Sequence, residues 1–200
     1  MAGFSLVELM LSLSLGFALS GVMLQGLMAE GQNGARLSRL LRERASQRRT
    51  LELVKQDLAQ ATAVSATPEL ELHACPLSGR SAVLHLSTAA GAITYSVGAA
   101  PSAIWRGRVL MRCGPAYSLE GRLAAGGAAQ NRVVIDALAL DPPLWSGCGE
   151  ELDLGGSSQL GFSACLDPSS GMVALRLVQD VASPPGRPPQ RLISQGLAAG

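Results

Sequence analysis

Apolar residues form one continuous stretch near the start of the chain. Between Phe4 and Ala29 the only charged side chain is Glu8. At a rise of about 1.5 Å per residue, a helix of this length measures about 39 Å, more than the roughly 30 Å hydrocarbon core of a bilayer. The pattern therefore predicts a membrane-spanning helix over residues 4–29.

The next segment, residues 30–66, has the pattern of an amphipathic helix. Apolar residues recur at steps of three and four, while charged and amide side chains occupy the other faces. The apolar positions are Leu37, Leu40, Leu41, Ala45, Leu51, Val54, Leu58 and Ala61. No proline occurs between residues 4 and 67, and Pro68 supplies a stop signal. We therefore expect one helix to run through residues 4–66.

Residues 67–182 show the alternating pattern of short β-strands. Alternation is clear at 70–74, 93–97 and 173–177, and weaker at 83–86, 109–112, 133–138 and 160–165. Stretches rich in glycine, serine and asparagine separate these segments, as expected for turns. A long helix followed by an antiparallel sheet predicts an α+β fold, with residues 67–182 as a β-rich globular head.

The last segment, residues 183–200, begins with the proline-rich run 183–189. Such a run favours an extended, semi-rigid connection. It leads to residues 190–194, for which we consider two states: a last edge strand of the sheet, or a loose tail.

The charge distribution does not indicate a strongly basic head. The formal net charge is +1, and basic and acidic residues nearly balance beyond residue 66. Arginines cluster instead between Arg36 and Arg49, directly after the apolar stretch. We expect this cluster to form a solvated or subunit-facing flank, with anionic lipid headgroups or DNA as alternative contacts.

All the cysteines lie beyond the apolar stretch, at Cys75, Cys113, Cys148 and Cys165. An even number on one side of a membrane span favours two disulfides in an oxidising compartment, and four free thiols in a cytosolic protein are the alternative. Three pairings are possible. We favour Cys148 with Cys165, because this bridge would pin the intervening loop, which leaves Cys75 to pair with Cys113.

Candidate chemistry is sparse. No nucleotide-binding, nucleophile-elbow or two-histidine zinc motif occurs. A zinc site would need ligands beyond the His73–Cys75 pair, such as His85 and Cys113, and a strand histidine beside a disulfide cysteine is the simpler interpretation. The acidic residues Glu150, Glu151, Asp153 and Asp167 match no calcium-loop spacing. We expect no metal, cofactor, small-molecule substrate or enzymatic activity.

Glu8 is the one charged residue within the predicted span. Placing a carboxylate there raises the free energy of membrane insertion by about 2.5–3.5 kcal/mol, and such a residue usually marks function. The surrounding sequence, Gly3-Phe4-Ser5-Leu6-Val7-Glu8, resembles the prepilin peptidase motif of type IV pilins and secretion pseudopilins. The resemblance implies cleavage between Gly3 and Phe4 by prepilin peptidase and N-methylation of Phe4. It also implies that Glu8 pairs with the Phe4 amine of a neighbouring subunit during assembly.

The resemblance also bears on the leader and on topology. Residues 1–3 would be the leader peptide, which lacks the basic residues usual in the family, whereas arginines follow the span. The positive-inside rule alone would put the head in the cytoplasm. Two explanations remain: the true start lies upstream, or dedicated machinery dictates translocation. The resemblance favours a single-pass protein of the bacterial inner membrane, with its head in the periplasm or outside.

Two shorter segments, 51–61 and 93–106, resemble minor pilins of the PilW and PulJ type. The resemblance implies a pilin-like fold and a minor pilin or pseudopilin that helps to initiate or cap a type IV pilus or a type II secretion pseudopilus. Its partners would be other pilin subunits and the assembly platform. The alternatives are a single-span protein that does not polymerise and whose head binds a ligand, and a DNA-uptake pilin using Arg106, Arg108 and Arg112.

Overall fold

The computed structural model describes residues 5–65, 74–145, 148, 152–183 and 189–199, with side chains left undescribed at 29–33. The chain divides into two compact units, Met1–Glu43 and Arg44–Gly200. The second unit is called the head below. This boundary lies within the predicted amphipathic segment rather than at its start, so part of that segment belongs to the head.

The first element is a single helix, α1, which spans Leu6–Leu58 and has 53 residues. Its charges suit the helix dipole, with Glu8 in the first turn and Lys55 in the last. The helix ends at Leu58, whereas the sequence predicted that it would continue to residue 66. The reason is that Ala61–Ser65 forms strand β1, in which Thr62 and Val64 are β-branched residues that favour extended backbone.

An antiparallel sheet follows α1, so the α+β prediction is correct. Its further strands are β2 Arg80–Thr88, β3 Gly91–Ala99, β4 Arg108–Gly114, β5 Gln130–Leu138, β6 Leu152–Asp153, β7 Phe162–Leu166, β8 Met172–Val181 and β9 Gln190–Ala199. The order is β1-β2-β3-β4-β5-β8-β7-β6, with β9 paired to β8. The strand expected at 70–74 falls largely on residues 66–73, outside the described residues.

Strand β9 is longer than the segment proposed from the sequence. It pairs with β8 along its whole length, from Val181 opposite Gln190 to Met172 opposite Ala199. Of the two states considered for residues 190–194, the edge strand is therefore the one adopted. Helix α1 contributes a further contact, because the Gln47 amide donates to the carbonyl of Leu192 at 3.3 Å.

The hydrophobic core of the head joins the C-terminal turns of α1 to the inner face of the sheet. Leu51, Val54 and Leu58 are buried there against residues that include Tyr95 and Phe162. Full burial of such side chains contributes about 1.5–3 kcal/mol each. The three-to-four-residue spacing of these apolar positions on α1 is what allows one helical face to cover the sheet.

The sheet curls, because a 3-10 helix, Leu154–Gln159, connects β6 to β7 and lies against β2. Its approach to β2 requires glycine: Gly155 has a φ of 60°, and a Cβ added there would collide with the carbonyl oxygen of Ala82. Leu154 is fully buried at the same place. This contact brings β2 near β7, although the two strands are far apart in the order of the sheet.

Candidate functional site

The N-terminal unit contains an exposed apolar helix. Residues Leu6–Met28 of α1 have a mean hydropathy of 1.8 and are 0% buried, and the segment is long and apolar enough to cross a membrane. All its large apolar side chains are more than half exposed. Exposing so large a continuous apolar surface to water is energetically unfavourable. We therefore expect lipid or other helices to cover it.

Glu8 lies in the first turn of this segment. Its Oε2 accepts a hydrogen bond from the backbone N–H of Ser5 at 3.4 Å. Serine followed three residues later by glutamate is the pattern of a capping box at a helix start. The spacing of Ser5 and Glu8 in the sequence is the signal that predicts this contact. Gly3 and Phe4 lie outside the described residues.

The cysteines form two disulfides in the head. Cys75 is bonded to Cys113, with Cα atoms 6.0 Å apart, and Cys148 to Cys165, with Cα atoms 5.5 Å apart. These are the two pairings favoured from the sequence. Cys165 is fully buried, and Trp145 packs against the second bridge. Both bridges connect loop residues to strands, so they restrain parts of the head that the sheet alone does not.

A polar cluster lies at the junction between α1 and the sheet. The carboxylate of Asp57, which is fully buried, accepts hydrogen bonds from Tyr95 at 2.5 Å and from Tyr117 at 2.6 Å. It also accepts two from Arg112, whose Nε and Nη2 lie 2.7 and 2.9 Å from its oxygens. Arg112 donates a further bond to the carbonyl of Pro115 at 2.9 Å.

The charges within this cluster balance. Burial, and then Asp57, raise the pKa of both Tyr95 and Tyr117 above the ordinary tyrosine value, so both hydroxyls stay protonated and donate. Burial opposes the charge on Arg112, but its hydrogen bonds and attraction to Asp57 prevail and raise its pKa. The arrangement therefore combines an ion pair between Asp57 and Arg112 with two protonated tyrosine donors.

Arg112 is not on the surface with the other two arginines considered for a basic patch, Arg106 and Arg108. Arg112 is only 8% exposed and forms an ion pair with Asp57. The guanidinium of Arg106 lies 3.4 Å from the carboxylate of Asp136, and its side chain is 50% exposed; Arg108 is exposed as well. The three arginines alternate along the chain, but burial and pairing separate their roles.

The residues weighed as metal ligands are not gathered in the described part of the chain, where no group of three or more histidine, cysteine, aspartate or glutamate side chains could hold a metal ion. His73, Glu150 and Glu151 lie outside it. Nδ1 of His85 is 2.8 Å from the hydroxyl of Thr94. Asp153 accepts from the backbone N–H of Ser157 at 2.7 Å and caps the 3-10 helix.

Two features therefore remain as candidates for function: the exposed apolar helix with Glu8, and the polar surface of the head around Arg112 and Tyr117. The first is a surface that requires a covering partner, and the second lies beside an open cleft. Comparisons of the chain with protein-family models, curated proteins and solved structures give no match.

Proposed function

We propose that this chain is a minor pilin or pseudopilin, processed by prepilin peptidase, that helps to initiate or cap a type IV pilus or a secretion pseudopilus. The proposal rests on the prepilin-like motif from Gly3 to Glu8 and on the helix that follows it. Its partners would be the peptidase, other pilin subunits, the inner membrane and the assembly platform. The head would lie outside the cytoplasm.

One observation carries the proposal: the apolar segment Leu6–Met28 is 0% buried. A helix with apolar side chains on every face is stable in lipid, and equally stable when neighbouring helices replace the lipid. A pilin uses both environments in turn, first the membrane as a store and then the filament core. A simple anchor uses only the first, and in it the carboxylate of Glu8 would serve only to cap the helix at Ser5.

The environment of Glu8 fits this role. Oε2 accepts from Ser5 N–H at 3.4 Å, while Oε1 has no partner among the described residues. In apolar surroundings that oxygen would remain costly unless a cation reached it. The amine of Phe4 on a neighbouring subunit is such a cation, and the pairing would also fix the axial register of the two helices.

The two disulfides support a head outside the cytoplasm. Stable bridges such as Cys75–Cys113 form in oxidising compartments and are rare in the reducing cytosol. Their location in the head, beyond the apolar segment, is what a protein with its head in the periplasm requires.

Mass spectrometry of the native N-terminus tests the proposal. We expect the mature chain to begin at an N-methylated Phe4, and Gly3→Leu to block the cut while Gly16→Leu, with the same change within the helix, leaves it intact. No side chain lies near Gly16 to be disturbed. An uncut, functional protein would contradict the proposal and favour a single-span membrane protein that does not polymerise.

A further inference from the structure

An open cleft of about 660 Å³ lies in the head, where α1 faces strands β4 and β5. Helix α1 contributes Arg49 and Thr50, and the strands contribute Arg112 and Arg132. No acidic side chain lines the cleft among the described residues. The cleft shares Arg112 with the Asp57 cluster, but its other basic residues have no part in that cluster.

The positive charge of the cleft is unbalanced. Arg112 is neutralised by Asp57 at 2.7 Å. Arg49 and Arg132 are exposed, and within the described part of the chain neither makes a side-chain hydrogen bond or an ion pair. Two free guanidinium groups beside one cleft favour an anionic ligand, because each presents a fork of donors that matches a carboxylate or phosphate.

A hydroxyl group lines the same cleft. Thr50 is only 3% exposed, and its hydroxyl makes no hydrogen bond within the described part of the chain. The hydroxyl oxygen itself is not buried, so it remains accessible as a donor from the cleft. A ligand oxygen that accepts from Thr50 would satisfy the hydroxyl while the arginines hold the charge.

The remaining wall of the cleft is apolar. Leu53, Val133, Val134 and Ala116 line it. An inorganic anion would leave this wall uncovered. The affinity of a protein for a nucleic acid rises with the number of phosphates that its cations neutralise, and two free cations neutralise few of them. A carboxylate on an apolar stem satisfies both halves of the cleft.

We propose that this cleft binds an acidic side chain carried on a partly apolar peptide segment of a partner protein. Arg49 and Arg132 bind the carboxylate, Thr50 donates to it, and the apolar wall covers the neighbouring side chain of the peptide. The site uses none of the apolar residues Leu6–Met28, so it stands whether or not the chain enters a filament.

Titration of the full chain in detergent micelles with a blocked Leu-Glu-Glu-Leu peptide tests the site, with Leu-Gln-Gln-Leu as the uncharged control peptide. Calorimetry should detect binding of the acidic peptide and little binding of the control peptide. Arg49→Gln and Arg132→Gln should each weaken binding about three- to tenfold. Arg108→Gln, which removes an exposed arginine at the far end of β4, should leave binding unchanged.

Thr50→Val separates binding from folding. The substitution keeps the shape of the side chain and removes a hydroxyl without a described partner, so we expect weaker peptide binding and an unchanged melting temperature. Equal affinity for the two peptides, or binding unaffected by Arg49→Gln and Arg132→Gln, would overturn the proposal. Tighter binding of inorganic phosphate or an oligothymidylate, lost in the same variants, would overturn the assignment of a peptide carboxylate.

Discussion

Asp57 of α1 and Arg112 of β4 form a bidentate ion pair across the junction between helix and sheet, with Nε 2.7 Å and Nη2 2.9 Å from the two carboxylate oxygens. The two side chains are 0% and 9% exposed. A single residue thus ties α1 to strand β3 through Tyr95, to β4 through Arg112 and to the following loop through Tyr117. The pair fixes the axial position and rotation of the helix on the sheet more narrowly than apolar contacts do.

Removing one partner of the Asp57–Arg112 pair should strongly destabilise the head. We expect Asp57→Leu to lower the free energy of unfolding by about 3–5 kcal/mol, because it leaves the guanidinium of Arg112 buried and unpaired. Urea denaturation followed by tryptophan fluorescence measures the loss, since both tryptophans lie in the head. Adding Arg112→Met should recover part of it.

The matched control for this change is Glu52→Leu. Glu52 pairs with Lys55 at 3.2 Å on the same helix, but its side chain is 63% exposed, so the loss should stay within about 1 kcal/mol. If Asp57→Leu and Glu52→Leu cost the same, the buried pair does not hold the helix in place.

The same cluster predicts a pH dependence at alkaline pH. Tyr95 and Tyr117 have folded-state pKa values raised above the value of 10.0 that they have when unfolded. Above pH 10 the unfolded chain releases these protons and the folded chain retains them, so the free energy of unfolding falls as pH rises. Urea titrations from pH 8 to 11 measure the slope. The decrease in the free energy of unfolding with pH should be shallower in Tyr95→Phe. An unchanged slope would contradict a raised pKa of Tyr95 in the folded state.

Adjacent glycines give a test of the sheet's curl. Gly155 and Gly156 have φ values of 60° and 62°, but only Gly155 has backbone, the carbonyl of Ala82, where a Cβ would be. We expect Gly156→Ala to cost about 1–2 kcal/mol from backbone strain alone. Gly155→Ala should cost clearly more, because β2 must move. Equal losses in urea denaturation would show that the 3-10 helix is not held against β2.

The general architecture was readable from the sequence because it follows from periodicity. Apolar spacing on Leu51, Val54 and Leu58 predicted the face of α1 that is buried, and alternation predicted most of the strands. The C-terminal end of the helix was misjudged. Ala61 continues the helical spacing, but residues 61–65 gain more by pairing with β2, and such a long-range partner leaves no local signal.

The polar cluster could not be predicted, because its members are distant in sequence. Tyr95, Arg112 and Tyr117 lie 38, 55 and 60 residues from Asp57. Only the strand order and register bring them to one point. Taken singly, Arg112 looked like a surface cation and a candidate for DNA, whereas its burial beside Asp57 gives it a structural role.

The disulfides should differ in their contribution to stability. They close loops of 38 and 17 residues, for which the chain-entropy model gives about 4 and about 3 kcal/mol. We therefore expect Cys75→Ser with Cys113→Ser to destabilise the head more than Cys148→Ser with Cys165→Ser. Thiol titration of the denatured wild-type protein from an oxidising compartment should find no free thiol. Two or more reactive thiols there would contradict the bridged state.

Glu8 is the residue whose substitution most directly tests assembly, and its contact with Ser5 requires two variants. Glu8→Val removes both the charge and the acceptor for the Ser5 N–H. It should still insert and still be cut, since it is more apolar, but should support few filaments in cells that lack the wild-type copy. Ser12→Val, a polar-to-apolar change one turn later, is the control and should assemble normally.

Glu8→Gln separates the two roles of the side chain. Glutamine keeps the oxygen that caps the helix at Ser5, because glutamate and glutamine both serve in a capping box. It lacks the negative charge that would pair with the Phe4 amine of the next subunit, and leaving that amine unpaired in an apolar core costs about 3–5 kcal/mol. If charge pairing drives assembly, Glu8→Gln fails as Glu8→Val does. Filament counts by electron microscopy that return to the wild-type level in Glu8→Gln would instead assign Glu8 to helix capping, and the intersubunit pairing would be wrong.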